Sequence, residues 1–129
     1  RIACGAATIH AMHDPTEGGL ATGLTEMASA ATVGFVLNSG SVNVLPETRA
    51  VCEILGLDPL GLMASGALLM AVGPDDAEVV RSALNHEDIP SQIIGRVTEA
   101  DEGFQLRDSR GLAELPVFPR DEIARFMSE

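Results

Sequence analysis

Lysine, tryptophan and tyrosine are missing from these 129 residues, and each absence removes a class of function. Without Lys there is no Schiff-base amine and no P-loop lysine to reach a phosphate. Without Trp or Tyr, and with only four Phe, no platform for stacking bases is expected. Positive charge is scarce: eight Arg stand against 19 acidic residues, for a net charge of −11. Such a surface repels phosphate backbones, so nucleic acid is not the expected partner. No run of about 18 apolar residues occurs, so no membrane-spanning helix is expected. There are only two cysteines, Cys4 and Cys52, with no CxxC and no zinc spacing. Both sit among apolar residues and read as buried thiols, in keeping with a reducing, cytoplasmic setting.

What is present points to a packed domain. Apolar residues make up 46% of the chain, enough for a core. The length suits one domain over residues 1–129. The opening RIACGAATIHAM has no basic head before a long apolar stretch, so no signal peptide is read there. It also starts without Met, and the expectation is a domain cut from a longer protein.

Hydrophobic periodicity alternates along the chain. ATIHAM, 7–12, reads as a short strand. A helix is expected over 15–31, with Asp14 as cap, Pro15 at the first helical position and Leu20, Leu24, Met27 and Ala31 on one face. TVGFVLNSG, 32–40, is β-rich. Pro46 opens a helix with Val51, Ile54 and Leu55 inward, stopped by Gly56. ALLMAV, 67–72, reads as a strand buried on both faces. Residues 73–88 form a third helix, with Val79, Val80, Ala83 and Leu84 as its stripe. Residues 91–100 and 103–111 read as two strands joined by a turn at Asp101–Gly103, with Phe104 and Leu106 inward. A last helix follows Pro119, pinned by Ile123, Phe126 and Met127. The class is therefore α+β: a mixed, largely antiparallel sheet with helices packed on it.

The chemistry centres on HDPTEGGL, 13–20. Two glycines at the start of a helix each cost about 1 kcal/mol against Ala. Gly18 and Gly19 either let an anion meet the unpaired N–H groups of the helix start, or let the helix pack closely. Glu17 opposes a plain anion, whereas a bound Mg²⁺ would reconcile carboxylate and phosphate. Ser65 and Gly66, just before the apolar run, read as a plain turn or as the rim of a ligand crevice. His10 and His13 fall on opposite faces of a strand and lack a third convergent ligand, so no metal site is expected. His86 is expected in solvent.

Two stretches carry a family resemblance. MHDPTEGGLATGLTEMA resembles the start of the C-terminal domain in the aminoimidazole ribonucleotide (AIR) synthetase superfamily, and LGLDPLGLMASGALLMAV and IIGRVTE are similar to segments further along that domain. The nearest branch is that of HypE-like hydrogenase expression/formation proteins, whose corresponding stretch reads Asp-Pro-Thr-Arg-Gly-Gly. The resemblance implies an ATP-dependent enzyme of two α/β domains, forming homodimers. ATP and Mg²⁺ would be held mainly by an N-terminal domain not in this sequence, and this piece would bind no cofactor alone. Asp14, Thr16, Glu17, Gly18, Gly19, Ser65 and Gly66 would line the cleft towards substrate and phosphate.

Two departures stand out. Glu17 replaces an Arg, and FPRDEIARFMSE lacks the Cys of the HypE-type Pro-Arg-Ile-Cys tail. The expected function is the cleft domain of a protein that phosphorylates an amide-type acceptor on a small molecule or protein tail. The alternatives are a non-catalytic acidic interaction or dimerisation module and, more remotely, a small-molecule sensor.

Overall fold

A computed structural model describes residues 1–128 of the chain. Its strands are β1 (Ile9–His13), β2 (Gly34–Asn38), β3 (Leu69–Val72), β4 (Gly95–Thr98), β5 (Phe104–Asp108) and β6 (Gly111–Glu114). Its helices are α1 (Ile2–Ala6), α2 (Gly19–Ala31), α3 (Pro46–Leu55), α4 (Ala77–His86) and α5 (Glu122–Phe126). The expected α+β class holds, and three of the four strand pairings are antiparallel. The strands form two sheets rather than one: an antiparallel β1–β3 pair, and a mixed sheet ordered β4-β2-β5-β6.

The central strand β2 explains the larger sheet. Its Phe35, Val36 and Leu37 are all buried, with Leu37 only 1% exposed. That suits a strand covered on both faces, where a continuous apolar run replaces alternation. Phe35 lies opposite Phe104 in register. Their rings stack with centroids 5.2 Å apart, a favourable aromatic arrangement. Leu20 and Leu24 of α2 pack on this core beside Ala21 and Ala28. A smaller core joins Ala3 of α1 to Val80 and Leu84 of α4, under Ile9 and Val72 of the two-stranded sheet.

Several expectations are corrected. β4 and β5 are not a hairpin: β2 lies between them, parallel to β5, and the tight hairpin is β5–β6. Asp108 explains the hairpin turn, since its carboxylate accepts from the N–H groups of Arg110 and Gly111. The segment 67–72 is shorter as a strand and pairs only with β1; Leu68 is exposed and just Leu69 is buried. On α3, Pro46 and Gly56 do bound the helix, but Val51, Ile54 and Leu55 face outward, with Ile54 81% exposed, and Cys52 is buried instead. On α4, Val79 is exposed while Val80 and Leu84 are buried. Ala31 at the end of α2 is also exposed. Cys4 is exposed too, because α1 turns Ala3 towards α4.

The C-terminal helix differs most from expectation. Ile123, Phe126 and Met127 are exposed. Asp121 and Glu122 are instead its buried residues, each only 7% exposed.

Candidate functional site

The loop after β1 builds the site. Pro15 does not open α2. It is fully buried, facing Gly23 of that helix so closely that a Cβ added at 23 would meet the Pro15 Cβ at 2.7 Å. His13 also lies against Gly23, and its Nε2 is 2.9 Å from Glu26 Oε2. Asp14 makes no cap; the helix begins four residues later than expected, with Gly18 as its cap residue. Gly18 and Gly19 have φ of +76° and +68°, the left-handed region that other residues enter only at a cost.

The two glycines face different surroundings. Gly19 turns towards the backbone of Leu60, Gly61 and Leu62; an added Cβ would meet the Leu60 carbonyl oxygen at 2.6 Å. Its missing side chain is thus accounted for by close packing on the short 3₁₀ turn at Pro59–Gly61. Gly18 faces Thr22, and its N–H donates to Asp121 Oδ2 at 3.2 Å.

One backbone oxygen ties the two glycine-bearing loops together. The Thr16 carbonyl accepts from Gly19 N–H at 3.1 Å and from Ala64 N–H at 3.3 Å. Ser65 and Gly66 follow as the central pair of a turn closed by Ala67 N–H on the Ala64 carbonyl, at 3.0 Å. Gly66 has φ +93° with open space where a Cβ would stand, the geometry of a type II turn. Asp14, Thr16, Glu17, Ser65 and Gly66 are all exposed.

A groove of about 420 Å³ opens beside Glu17 and Gly18. Glu17, Gly18 and Thr22 line one side, and Phe118, Arg120 and Asp121 the other. Of the seven expected cleft residues, Glu17 and Gly18 reach this groove. Sequence reasoning missed Asp121, Glu122 and Phe118. Asp121 caps the last helix, its Oδ1 accepting from Ile123 N–H at 2.9 Å. Its reach to Gly18, 103 residues away, has no local signal.

The acids are tied down rather than poised. Glu122 Oε2 accepts from Asp58 N–H at 3.1 Å, and Glu122 Oε1 accepts from Arg125 Nε at 2.8 Å. The Arg125 hydrogen bond chiefly holds the Glu122 carboxyl below its ordinary value; burial opposes this and the Asp58 N–H assists it. Burial, then the nearby Asp58, Glu122 and Glu53 charges, raise the Cys52 thiol, so this cysteine is held protonated and inert.

The charged residues lining the groove are Glu17, Arg120 and Asp121. Among the described residues no group of three or more His, Cys, Asp or Glu could hold a metal ion. In the groove, Glu17 and Asp121 oppose a polyphosphate, and Arg120 is the cation facing them. Among the described residues no helix is long and apolar enough to cross a membrane.

Comparison with known proteins bears on this arrangement. The family described as AIR synthase related protein, C-terminal domain, matches residues 1–106. The chain belongs to this family. As an AIR synthase related C-terminal domain, it is 39% identical over 105 residues to carbamoyl dehydratase HypE of Rhizobium leguminosarum bv. viciae, covering 80% of this chain and 30% of that relative. A crystal structure of E. coli HypE, a hydrogenase maturation protein, superimposes with a TM-score of 0.86 at 30% identity, over 97% of this chain and 40% of that one. The hydrogenase maturation protein HypE in complex with ATP gives a TM-score of 0.76 at 29% identity, over 88% of this chain and 37% of that one. The domain thus spans roughly a third of the length of the relatives it matches.

Proposed function

We propose that this chain is the substrate-facing C-terminal domain of an ATP-dependent, HypE-like protein, and that the loops at 14–19 and 64–67 form its side of the reaction cleft. The observation that carries the reading is the Thr16 carbonyl. It accepts from Gly19 N–H and Ala64 N–H at once, which brings the 14–19 and 64–67 loops together. Membership of the AIR synthase related family and likeness to a HypE that binds ATP supply the chemistry. In this reading ATP and Mg²⁺ are held mainly by an N-terminal domain outside the sequence, and the protein assembles as a homodimer. The two loops position an acceptor, an amide-type group on a small molecule or protein tail, for phosphoryl transfer. Such chemistry needs positioning and electrostatics more than covalent participation by the protein.

Glu17 provides the test, because it is exposed and stands where the HypE-like stretch has Arg. In a protein joining this chain to its N-terminal domain, Glu17→Arg should leave folding intact and tighten MgATP or raise turnover roughly 5- to 10-fold, the effect of replacing repulsion by attraction near phosphate. Calorimetric titration with MgATP reads the first and phosphate release the second. No change in either would remove the 14–19 loop from the cleft.

A second reading has one observation in its favour. The Gly18 N–H is already bound to the Asp121 carboxylate. A domain whose anion donor is filled from within could act as a non-catalytic interaction module, and it would show no nucleotide dependence in either assay.

A further inference from the structure

A second groove, of about 390 Å³, shares no lining residue with the one beside Gly18. It opens beyond the carboxyl end of β2, a place where open sheets leave crevices for ligands. The loop after β2 brings Gly40, Ser41 and Asn43 to it, α3 brings Arg49, and the segment before β4 brings Gln92. The loop is pinned at its base. Val42 N–H donates to the Ser39 carbonyl at 3.2 Å, and Ser39 Oγ donates to the Arg107 carbonyl at 3.2 Å. Ser91 fixes the chain next to Gln92, its N–H and Oγ each 3.1 Å from Asn85 Oδ1. The polar side chains lining the groove are unspent by comparison. Among the described residues, those of Ser41, Asn43, Arg49 and Gln92 make no hydrogen bond or ion pair. Gly40 leaves open space where a Cβ would stand.

The chemistry of these groups fits one kind of guest. The chain carries a net charge of −11, yet the only charge lining this groove is the Arg49 guanidinium. The groove beside Gly18 instead sets Arg120 against Glu17 and Asp121. Neighbouring acids on α3 do not take up the Arg49 charge. Glu47 lies roughly 200° round the helix from it and does not line the groove. Glu53, one turn further on, makes no ion pair with it among the described residues. A guanidinium presents paired N–H donors that match the oxygens of a phosphate or carboxylate. Amide and hydroxyl groups beside it add neutral donors. We propose that this groove binds a small oxyanion, a phosphate or carboxylate head group, held by Arg49 with Ser41, Asn43 and Gln92 as supporting donors. Its volume falls in the range of small-molecule sites, so it has room for a polar body behind the head group. The inference stands whether or not the cleft reading holds.

NMR titration of the 129-residue chain with sodium phosphate, and separately with sodium acetate, tests it against sodium chloride at equal ionic strength and fixed pH. Saturable shifts are expected at the Ser41 and Asn43 amides, the Arg49 Nε–H and the Gln92 side-chain amide, with a millimolar dissociation constant. The Phe35 amide, bonded to the Gly103 carbonyl inside the sheet, should stay in place. Whichever anion binds more tightly identifies the head group. Arg49 is exposed, so Arg49→Gln should fold, and it should raise the dissociation constant about 5-fold or more. Gln92→Ala, on a different segment, should weaken binding by a smaller factor and decides the matter alone if the first variant does not fold. The proposal is overturned if chloride moves the same resonances equally, if the shifts gather at Gly18 and Arg120 instead, or if the folded variants bind as the wild type does.

Discussion

Gly19 and Gly66 allow the cost of backbone strain to be separated from the cost of crowding. Both have positive φ, +68° and +93°. Replacing either with Ala forces an L residue into a left-handed conformation, at about 1–2 kcal/mol. At Gly66 nothing lies within 4 Å of the new Cβ, so strain is the whole effect. At Gly19 the Cβ also meets the carbonyl oxygens of Leu60 and Leu62 and the Gly61 carbonyl carbon, the last at 2.9 Å. These are backbone atoms in a short 3₁₀ turn, not the free end of a side chain. They must shift, at a further cost of about 1–3 kcal/mol. For a chain of this length, 1 kcal/mol moves Tm by roughly 3–6 °C. Gly19→Ala should therefore melt roughly 3–18 °C below Gly66→Ala. Thermal unfolding followed by circular dichroism, with calorimetry to check two-state behaviour, measures the difference. Equal Tm values for the two variants would refute the packing account of Gly19.

Two further outcomes follow from local chemistry. Thr32, at the end of α2, has φ +56° and is exposed, where glycine is the preferred residue; Thr32→Gly should stabilise the chain by about 0.5–1 kcal/mol in urea titration. Glu122 has a folded pKa held below its ordinary 4.5, first by the Arg125 hydrogen bond. A depressed carboxyl contributes stability that is fully present above its unfolded value and is lost as pH falls through the folded one. Acid titration of stability should thus be shallower below pH about 4.5 in Glu122→Gln than in the wild type, with little change in slope between pH 6 and 8.

Features set by neighbours in sequence were legible. Pro46 and Gly56 bound α3 as read, because a fixed φ and a left-handed cap act on the chain locally. The Phe104 and Leu106 alternation was also sound, since both pack on the main core. Features set by distant partners were not. The Asp14-Pro15 pair has the composition of a helix start, but Pro15 finds a better place against Gly23 and the helix waits until Gly18. Ile123, Phe126 and Met127 looked like anchors, yet the anchors are Asp121 and Glu122, whose partners Gly18 and Asp58 lie far back in the chain. The seven cleft residues came from family resemblance and the glycine pair. Only the structure shows that Gly19 faces backbone while Gly18 faces the groove.

The position of β2 has a consequence for how the protein is made. Its two neighbours, β4 and β5, are both encoded in the last third of the chain. On a ribosome, Phe35, Val36 and Leu37 emerge long before anything can pair with them. Such late-closing pairings fold slowly and leave an adhesive strand uncovered in the meantime. A nascent chain stalled short of Phe104 would present a ready target for a holding chaperone, and expression at low temperature with slowed synthesis should lengthen that window.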